Sequence, residues 1–434
     1  MGGKMKEFLT DKRVLETCHI YKMLSAAAKR KHVSFHTPGH KRGAWDITEL
    51  SFSDNLSCPR GPIAEAQRDI ARILGAKQSF ILTDGSTSGV MSMAYAAKKC
   101  GVKTLAACMQ SHKSLFNACS VLGLGLVAFE EERENGLPLP ITANESVKAA
   151  LEKADGLFVT SPDYYGNVAD LAALRALCDE QGKPLIVDGA HGGHLHFDKE
   201  LYAGAYADMW VDGVHKSLPA FTQGAVVSAH GEAYAAALST AVDAFRTTSP
   251  SYPIMASVEY AVKYPRNVAL EEKTRAFAKE NERVVLGRDW TKVCVKFGKN
   301  AFEADAYLQA HGVYSEFCDG NVIMFYLSPA TSMKEFEVLA KSIRQVCDEF
   351  EYAEIQPVPA PVLSSIDGEK KWVEIRKAIG KTCAETCGLF PPCVPLIAVG
   401  ETVSEEKAER LLLADNVFGV KDGKIAVIVE ENEA

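Results

Sequence analysis

Short, unbroken apolar runs recur along the first half of the chain, each followed by a polar or glycine-rich turn. They are Phe80 to Leu82, Leu105 to Met109, Leu126 to Phe129, Leu157 to Thr160, Leu185 to Val187 and Met209 to Val211. Between several of them lie stretches of helical periodicity, at Ile63 to Leu74, Val90 to Lys99, Ser114 to Leu122 and Asp170 to Gln181. Runs apolar at successive positions, rather than at every second one, fit strands buried on both faces, so the alternation predicts a mostly parallel α/β sheet covered by helices. Ligands of such open sheets sit outside the carboxyl ends of the strands. The residues that end each run are therefore the candidates for chemistry.

Two of those ends carry a complementary pair, Asp188 after Leu185 to Val187 and Lys216 after Met209 to Val211. A pyridoxal phosphate (PLP) enzyme needs a lysine to hold the cofactor aldehyde and a carboxylate to keep the ring nitrogen protonated. Taken singly, the aspartate reads equally as a turn or helix cap and the lysine as a solvated charge. Their neighbourhoods favour the cofactor: His215-Lys216-Ser217 is small and polar, and Ala190-His191-Gly192-Gly193 allows close approach.

Other ends add to the picture. The stretch Thr83 to Gly89 reads as a Gly/Ser loop before a helix, offering backbone N–H groups and hydroxyls to a phosphate dianion, or else a plain helix cap. Ser111-His112-Lys113-Ser114 places an imidazole where it can lie on a cofactor ring, and Ser161 to Gly166 can line the pocket; a cap and a turn are the alternatives.

Beyond this region, Val14 to Lys31 predicts an amphipathic helix, followed by a loop broken at Pro38-Gly39 that carries His36, His40, Lys41 and Arg42. That loop is either a solvated basic segment or an arm reaching an active site, a neighbour's included. The remainder predicts strands near Val293 to Phe297, Val313 to Phe317 and Val322 to Leu327, a helix near Met333 to Glu349, a polar connection over Asp367 to Lys371 and a closing segment from Ile397 to Glu430. The division expected is an N-terminal helix and arm over 1–60, a large domain over 61–280 and a smaller α+β domain over 281–434, as suits 434 residues.

Composition narrows the class. Hydrophobic residues at 47% and charged ones at 24% describe an ordinary globular protein, and a net charge of −8 argues against nucleic acid or anionic membrane as partner. No run is long enough to span a bilayer, and the start lacks the apolar core of a signal peptide, so a cytoplasmic location is expected. The 12 cysteines are scattered rather than arranged as a disulfide framework. Cys383, Cys387 and Cys393 match no common zinc spacing, and His191, His194 and His196 lack acidic or thiol support, so no metal is expected.

The ordered motifs GSTSG (Gly85 to Gly89), SHKS (Ser111 to Ser114), SPDYYG (Ser161 to Gly166), DGAHGGH (Asp188 to His194) and VHKSLPAFTQGA (Val214 to Ala225) resemble the ornithine/lysine/arginine decarboxylases, PLP enzymes of fold type I. HTPGHKRG (His36 to Gly43), TTSPSYPIMAS (Thr247 to Ser257) and PPCVPLIAVGE (Pro391 to Glu401) extend the resemblance over nearly the whole chain. It implies that Lys216 anchors PLP, Asp188 pairs with the ring nitrogen and His112 stacks on the ring. Gly85, Ser86, Thr87 and His215 are implied to hold the phosphate, with Thr248 and Ser249 helping from a second subunit, and His191 to lie near the ring hydroxyl. A homodimer or a multiple of one, with active sites at the interface, is implied too. The N-terminal wing domain of the larger bacterial members has no counterpart here.

The chain departs from the family where Cys393 stands for the usual glycine and Val399 for the usual proline, and the segment before Trp372 is shortened. The resulting reading is PLP-dependent decarboxylation of arginine, lysine or ornithine, with His36, Tyr164 and Glu401 as candidates for contacting the substrate. A fold type I aminotransferase or lyase, and a silent PLP-binding protein, are the alternatives.

Overall fold

Seven strands form the central sheet of the computed structural model, which describes residues 8–41, 45–354, 361, 368–391, 393–414 and 416–429. They are β1 Gln78–Leu82, β2 Thr104–Cys108, β3 Gly125–Phe129, β4 Gly156–Thr160, β5 Leu185–Gly189, β6 Met209–Asp212 and β7 Ala225–Ala229. Side by side their order is β1-β7-β6-β5-β4-β2-β3. Strands β2 to β6 run parallel, and β7 is antiparallel to both β1 and β6.

The unbroken apolar runs are explained by burial on two sides. Leu185 and Val187 of β5 join one core while Ile186 between them joins the other. Each such side chain contributes roughly 1.5–3 kcal/mol when fully buried, which is why the sheet tolerates no alternation.

Two boundaries move for physical reasons. The Gly/Ser stretch is helical from its first glycine, the helix spanning Gly85–Lys99. Serine and threonine are poor interior formers, but here Gly89 packs the helix so closely on β6 that a Cβ would stand 2.5 Å from Val211 Cγ2. The N-terminal helix is split into Lys12–Leu15 and His19–Lys29. The buried carboxylate of Glu259 starts the second piece by accepting from His19 N at 2.7 Å and Ile20 N at 2.8 Å.

The small domain carries an antiparallel sheet of β8 Val284–Leu286, β9 Lys292–Lys296, β10 Phe317–Cys318 and β11 Val322–Tyr326, ordered β8-β9-β11-β10. The helix Met333–Glu349 covers it, opened by a capping box between Ser332 and Glu335. The helix Val268–Lys279 contributes Leu270 and Phe277 to the same core. A further core, built on Ile375, Cys383, Cys387, Ile397 and Ile425, lies beyond it. There strand Lys370–Glu374 pairs with Lys424–Ile428, so Lys370 and Lys371 lie in a strand rather than in a polar connection. Asp367 falls outside the described residues, as does Arg42. Among the described residues no helix is long and apolar enough to cross a membrane.

Candidate active site

The carboxyl ends of β2, β4, β5 and β6 and the start of the Gly85–Lys99 helix enclose a cavity of about 230 Å³. Gly85, Ser86, Thr87, His112, Tyr164, Asp188, His191, His215 and Lys216 all line it, so the structure brings these predicted residues together. Lys216 sits in a single helical turn, Val214–Ser217, directly after β6. That turn presses on the loop after β5: a Cβ on Gly213 would lie 2.5 Å from Ala190 O.

The lysine Nζ lies 3.1 Å from His191 Nε2. Burial pushes the Lys216 ammonium below its ordinary range, and burial with the Lys216 and Lys292 charges pushes His191 far below its own. The imidazole is thus neutral and its Nε2 can accept from the amine. Asp188 accepts from Ala190 N at 3.1 Å, and burial raises its carboxyl while Lys216 pulls it back. Burial disfavours both charges, and each is partly offset by the other.

At the helix start, Asp84 makes no side-chain cap, leaving the first-turn N–H groups toward the cavity. Its carboxylate instead accepts from Ser88 Oγ at 2.9 Å and Thr247 N at 3.0 Å. Gly85 takes a left-handed φ of 83° as its N–H bonds Gln223 O at 2.9 Å. His215 Nδ1 contacts Gly224 O at 3.0 Å, which closes the same corner.

His112 takes the helix-cap role considered for it. It caps the helix Lys113–Leu122, Nδ1 accepting from Ser114 N at 3.1 Å, and its ring lines the cavity. Burial, aided by the Lys216 and Lys113 charges, lowers it to about 4. Tyr164 packs tilted against His191, 4.3 Å between centroids and 57° between planes.

Several predicted residues lie elsewhere. Glu401 does not reach the cavity: its carboxylate is bonded to Lys407 Nζ and Ala398 N, inside the C-terminal core. His36 is exposed, its Nδ1 3.4 Å from Thr37 O. Thr248 and Ser249 are exposed and outside the lining. His194 turns to Asp289 Oδ1 at 2.8 Å and His196 to Gly193 O at 2.7 Å, so the histidine trio does not converge. A second group, His19, Asp69 and Glu259, is bridged by the Lys263 ammonium at 2.8 Å and 2.9 Å from the two carboxylates.

The structure adds residues that local pattern did not suggest. Glu131, at the end of β3, lines the cavity and is pushed up to about 7 by burial despite Arg133 at 2.8 Å. Glu316, ahead of β10, keeps solvent contact; partial desolvation raises its carboxyl, and the Lys216 and Lys292 charges pull it back. Cys393 adopts φ of 59°, the left-handed region that favours glycine, and its carbonyl accepts from Lys113 N at 3.0 Å. The family's usual glycine is thereby accounted for.

PLP fits this donor set. The Asp188 carboxylate lines the cavity and suits a cationic ring nitrogen, the buried His191 Nδ1 has no hydrogen-bond partner among the described residues, and the uncapped helix start suits a phosphate. The fold and site are those of a fold type I PLP enzyme. The family "Orn/Lys/Arg decarboxylase, major domain" matches residues 44–284, and the chain belongs to it. It is a PLP-dependent amino acid decarboxylase acting on basic amino acids.

Among relatives, an uncharacterised Bacillus subtilis protein, YaaO, is 28% identical over 96% of this chain and 99% of its own. An arginine decarboxylase of Halalkalibacterium halodurans is 27% identical over 90% and 92%. The constitutive lysine decarboxylase of Escherichia coli superposes with a TM-score of 0.73 at 19% identity, covering 96% of this chain and 82% of that one.

Proposed function

We propose that Lys216 anchors PLP, that Asp188 holds the ring nitrogen protonated, and that arginine is the first substrate to test. The observation that carries the site assignment is one cavity lined by an amine and a carboxylate, with a neutral imidazole 3.1 Å from the amine. Arginine comes first because relatives named arginine decarboxylase align along about 90% of the chain.

Bound PLP supplies an electron sink for the pair released when CO2 departs. The chain's own residues do the rest. Lys216, its ammonium destabilised by burial, offers a neutral amine at lower pH than a free lysine and can return a proton to the substrate carbon. His191 accepts at Nε2 and keeps that amine oriented. His112, neutral above about pH 4, covers the ring face without adding charge. Ser86, Thr87 and His215 fix the phosphate end, which orients the scissile bond. Glu316 is assigned to the distal cation, its carboxylate having no ion pair among the described residues.

We also propose a homodimer, in which Thr248 and Ser249 serve the neighbouring site. The arm supports this, exposing Val33 at 83% and Phe35 at 93% beside His36. Hydride reduction followed by mass spectrometry is expected to place the cofactor on Lys216, and Lys216→Ala to abolish both the adduct and CO2 release from arginine, lysine and ornithine. An adduct on another lysine, or keto acid formation in place of CO2, refutes the reading.

A further inference from the structure

His191 is held from outside the large domain. Two residues of the small-domain sheet, Lys292 on β9 and Tyr326 on β11, are direct antiparallel partners and so project from one face. Both donate to the same atom, the backbone carbonyl of His191: the tyrosine O–H at 3.0 Å and the lysine Nζ at 3.4 Å. The tyrosine ring also stacks on the His191 imidazole, 5.5 Å between centroids and 6° between planes. The lysine ammonium lies 4.5 Å from the centre of the Tyr326 ring.

Lys292 is fully buried, a placement that needs compensation. Asp289, three residues earlier, supplies it by bonding the ammonium. The aspartate is fixed in turn by His194 Nε2 at 2.8 Å, Thr291 Oγ1 at 2.7 Å and Thr291 N at 3.0 Å. Burial opposes its charge, but His194 and Lys292 hold it well below the usual carboxylate range. A buried ion pair of this kind is weak evidence for stability, because apolar residues of like size commonly replace it without loss. Its value here is directional: it aims a cation at one carbonyl.

We propose that Lys292 and Tyr326 are positioning residues that grip the His191 carbonyl from the small domain and hold its imidazole against the Lys216 amine. The proposal rests on the assignment of Lys216 as the PLP anchor. It makes the small domain a determinant of how the reactive amine is presented, although neither residue lines the cavity. The groups that face Lys216 are Asp188 and His191 from the β5 end, His112 from the β2 end, Glu316 and Lys292 from the small domain and Cys393 from the C-terminal segment. Those facing Lys292 are Asp289, Tyr326, Asp163, Glu316 and His191.

The test is a pH titration of the visible absorbance of bound PLP, with steady-state kinetics, in Lys292→Met, Tyr326→Phe and Asp289→Asn/Lys292→Met. Hydride reduction first locates the cofactor in the wild type; an adduct away from Lys216 defeats the anchor assignment itself, independently of this proposal. With the adduct on Lys216, Lys292→Met is expected to lower kcat by about 10- to 100-fold with KM within about twofold. It removes a cation facing Lys216, so the absorbance midpoint moves to higher pH by about half a unit or more. Tyr326→Phe keeps the ring and the charge and is expected to lower kcat with little movement of the midpoint. The double variant removes both charges, and is expected to restore the midpoint toward the wild type while kcat stays low. If Lys292→Met does not fold, Tyr326→Phe and the double variant carry the test. Wild-type kcat and midpoint in the folded variants, or a loss confined to KM, overturn the proposal.

Discussion

Replacing Gly89 by alanine sets two effects against each other. In a helix interior, Gly→Ala gains about 1 kcal/mol of intrinsic propensity. Here the new Cβ would stand 2.5 Å from Val211 Cγ2, closer than real Cβ atoms come, and a tight 3.1 Å from Leu82 Cδ1, both in the core. Overpacking costs about 1–3 kcal/mol, and a 2.5 Å contact draws on the upper part of that range, about 2–3 kcal/mol, so the net loss expected is about 1–2 kcal/mol. Val211→Ala removes the offending methyl at a cost of about 2 kcal/mol for the space it leaves. In that background the alanine at 89 refills part of the gap, and its residual contacts are with Leu82 Cδ1 at 3.1 Å and Val211 Cβ at 3.2 Å. The two substitutions should therefore be sub-additive by about 1–2 kcal/mol, within the range seen for touching residues. Guanidinium unfolding followed by circular dichroism reads the four stabilities, and fluorescence titration reads PLP affinity. Because the displaced helix begins at Gly85, Gly89→Ala should weaken PLP several-fold, and the double variant should recover most of it. A neutral Gly89→Ala, or strict additivity, refutes the reasoning.

Two further outcomes follow from the site and its surroundings. Glu316→Gln is expected to raise KM for arginine about tenfold, the equivalent of about 1.4 kcal/mol, with kcat largely kept; an unchanged KM removes Glu316 from the substrate site. His196 is lowered to about 4 by burial, so the unfolded chain takes up the proton first as pH falls through 6.5. The stability that neutral His196 contributes is complete above pH 6.5 and lost progressively down to about 4. The wild type should thus lose about 2 kcal/mol relative to His196→Asn between pH 7 and pH 5, and parallel pH profiles would contradict this.

Much of the large domain was legible because buried parallel strands write themselves as unbroken apolar runs, and chemistry follows at their ends. Asp188 at the carboxyl end of β5 and Lys216 after β6 stand where that rule puts them, as does His112 after β2. The antiparallel β7 was missed: Ala225, Ser228 and Ala229 are small, and its burial against β1 and β6 comes from tertiary packing. Lys292 gave no signal, since a lysine opening an alternating strand reads as solvent-facing until Asp289 is folded beside it. Tyr326 and Glu316 are distant in sequence from every catalytic motif, and only the docking of the small domain brings them near Lys216. Glu401 shows the converse, an acidic residue within a family motif whose partner, Lys407, lies six residues on.

The bond from Lys113 N to the carbonyl of Cys393 ties the loop bearing the His112 imidazole to a residue 280 positions later. During synthesis, that loop lacks this clasp until Cys393 has emerged. The seven strands of the central sheet, all complete by Ala229, can therefore be laid down well before the bond that fixes the His112 loop is able to form.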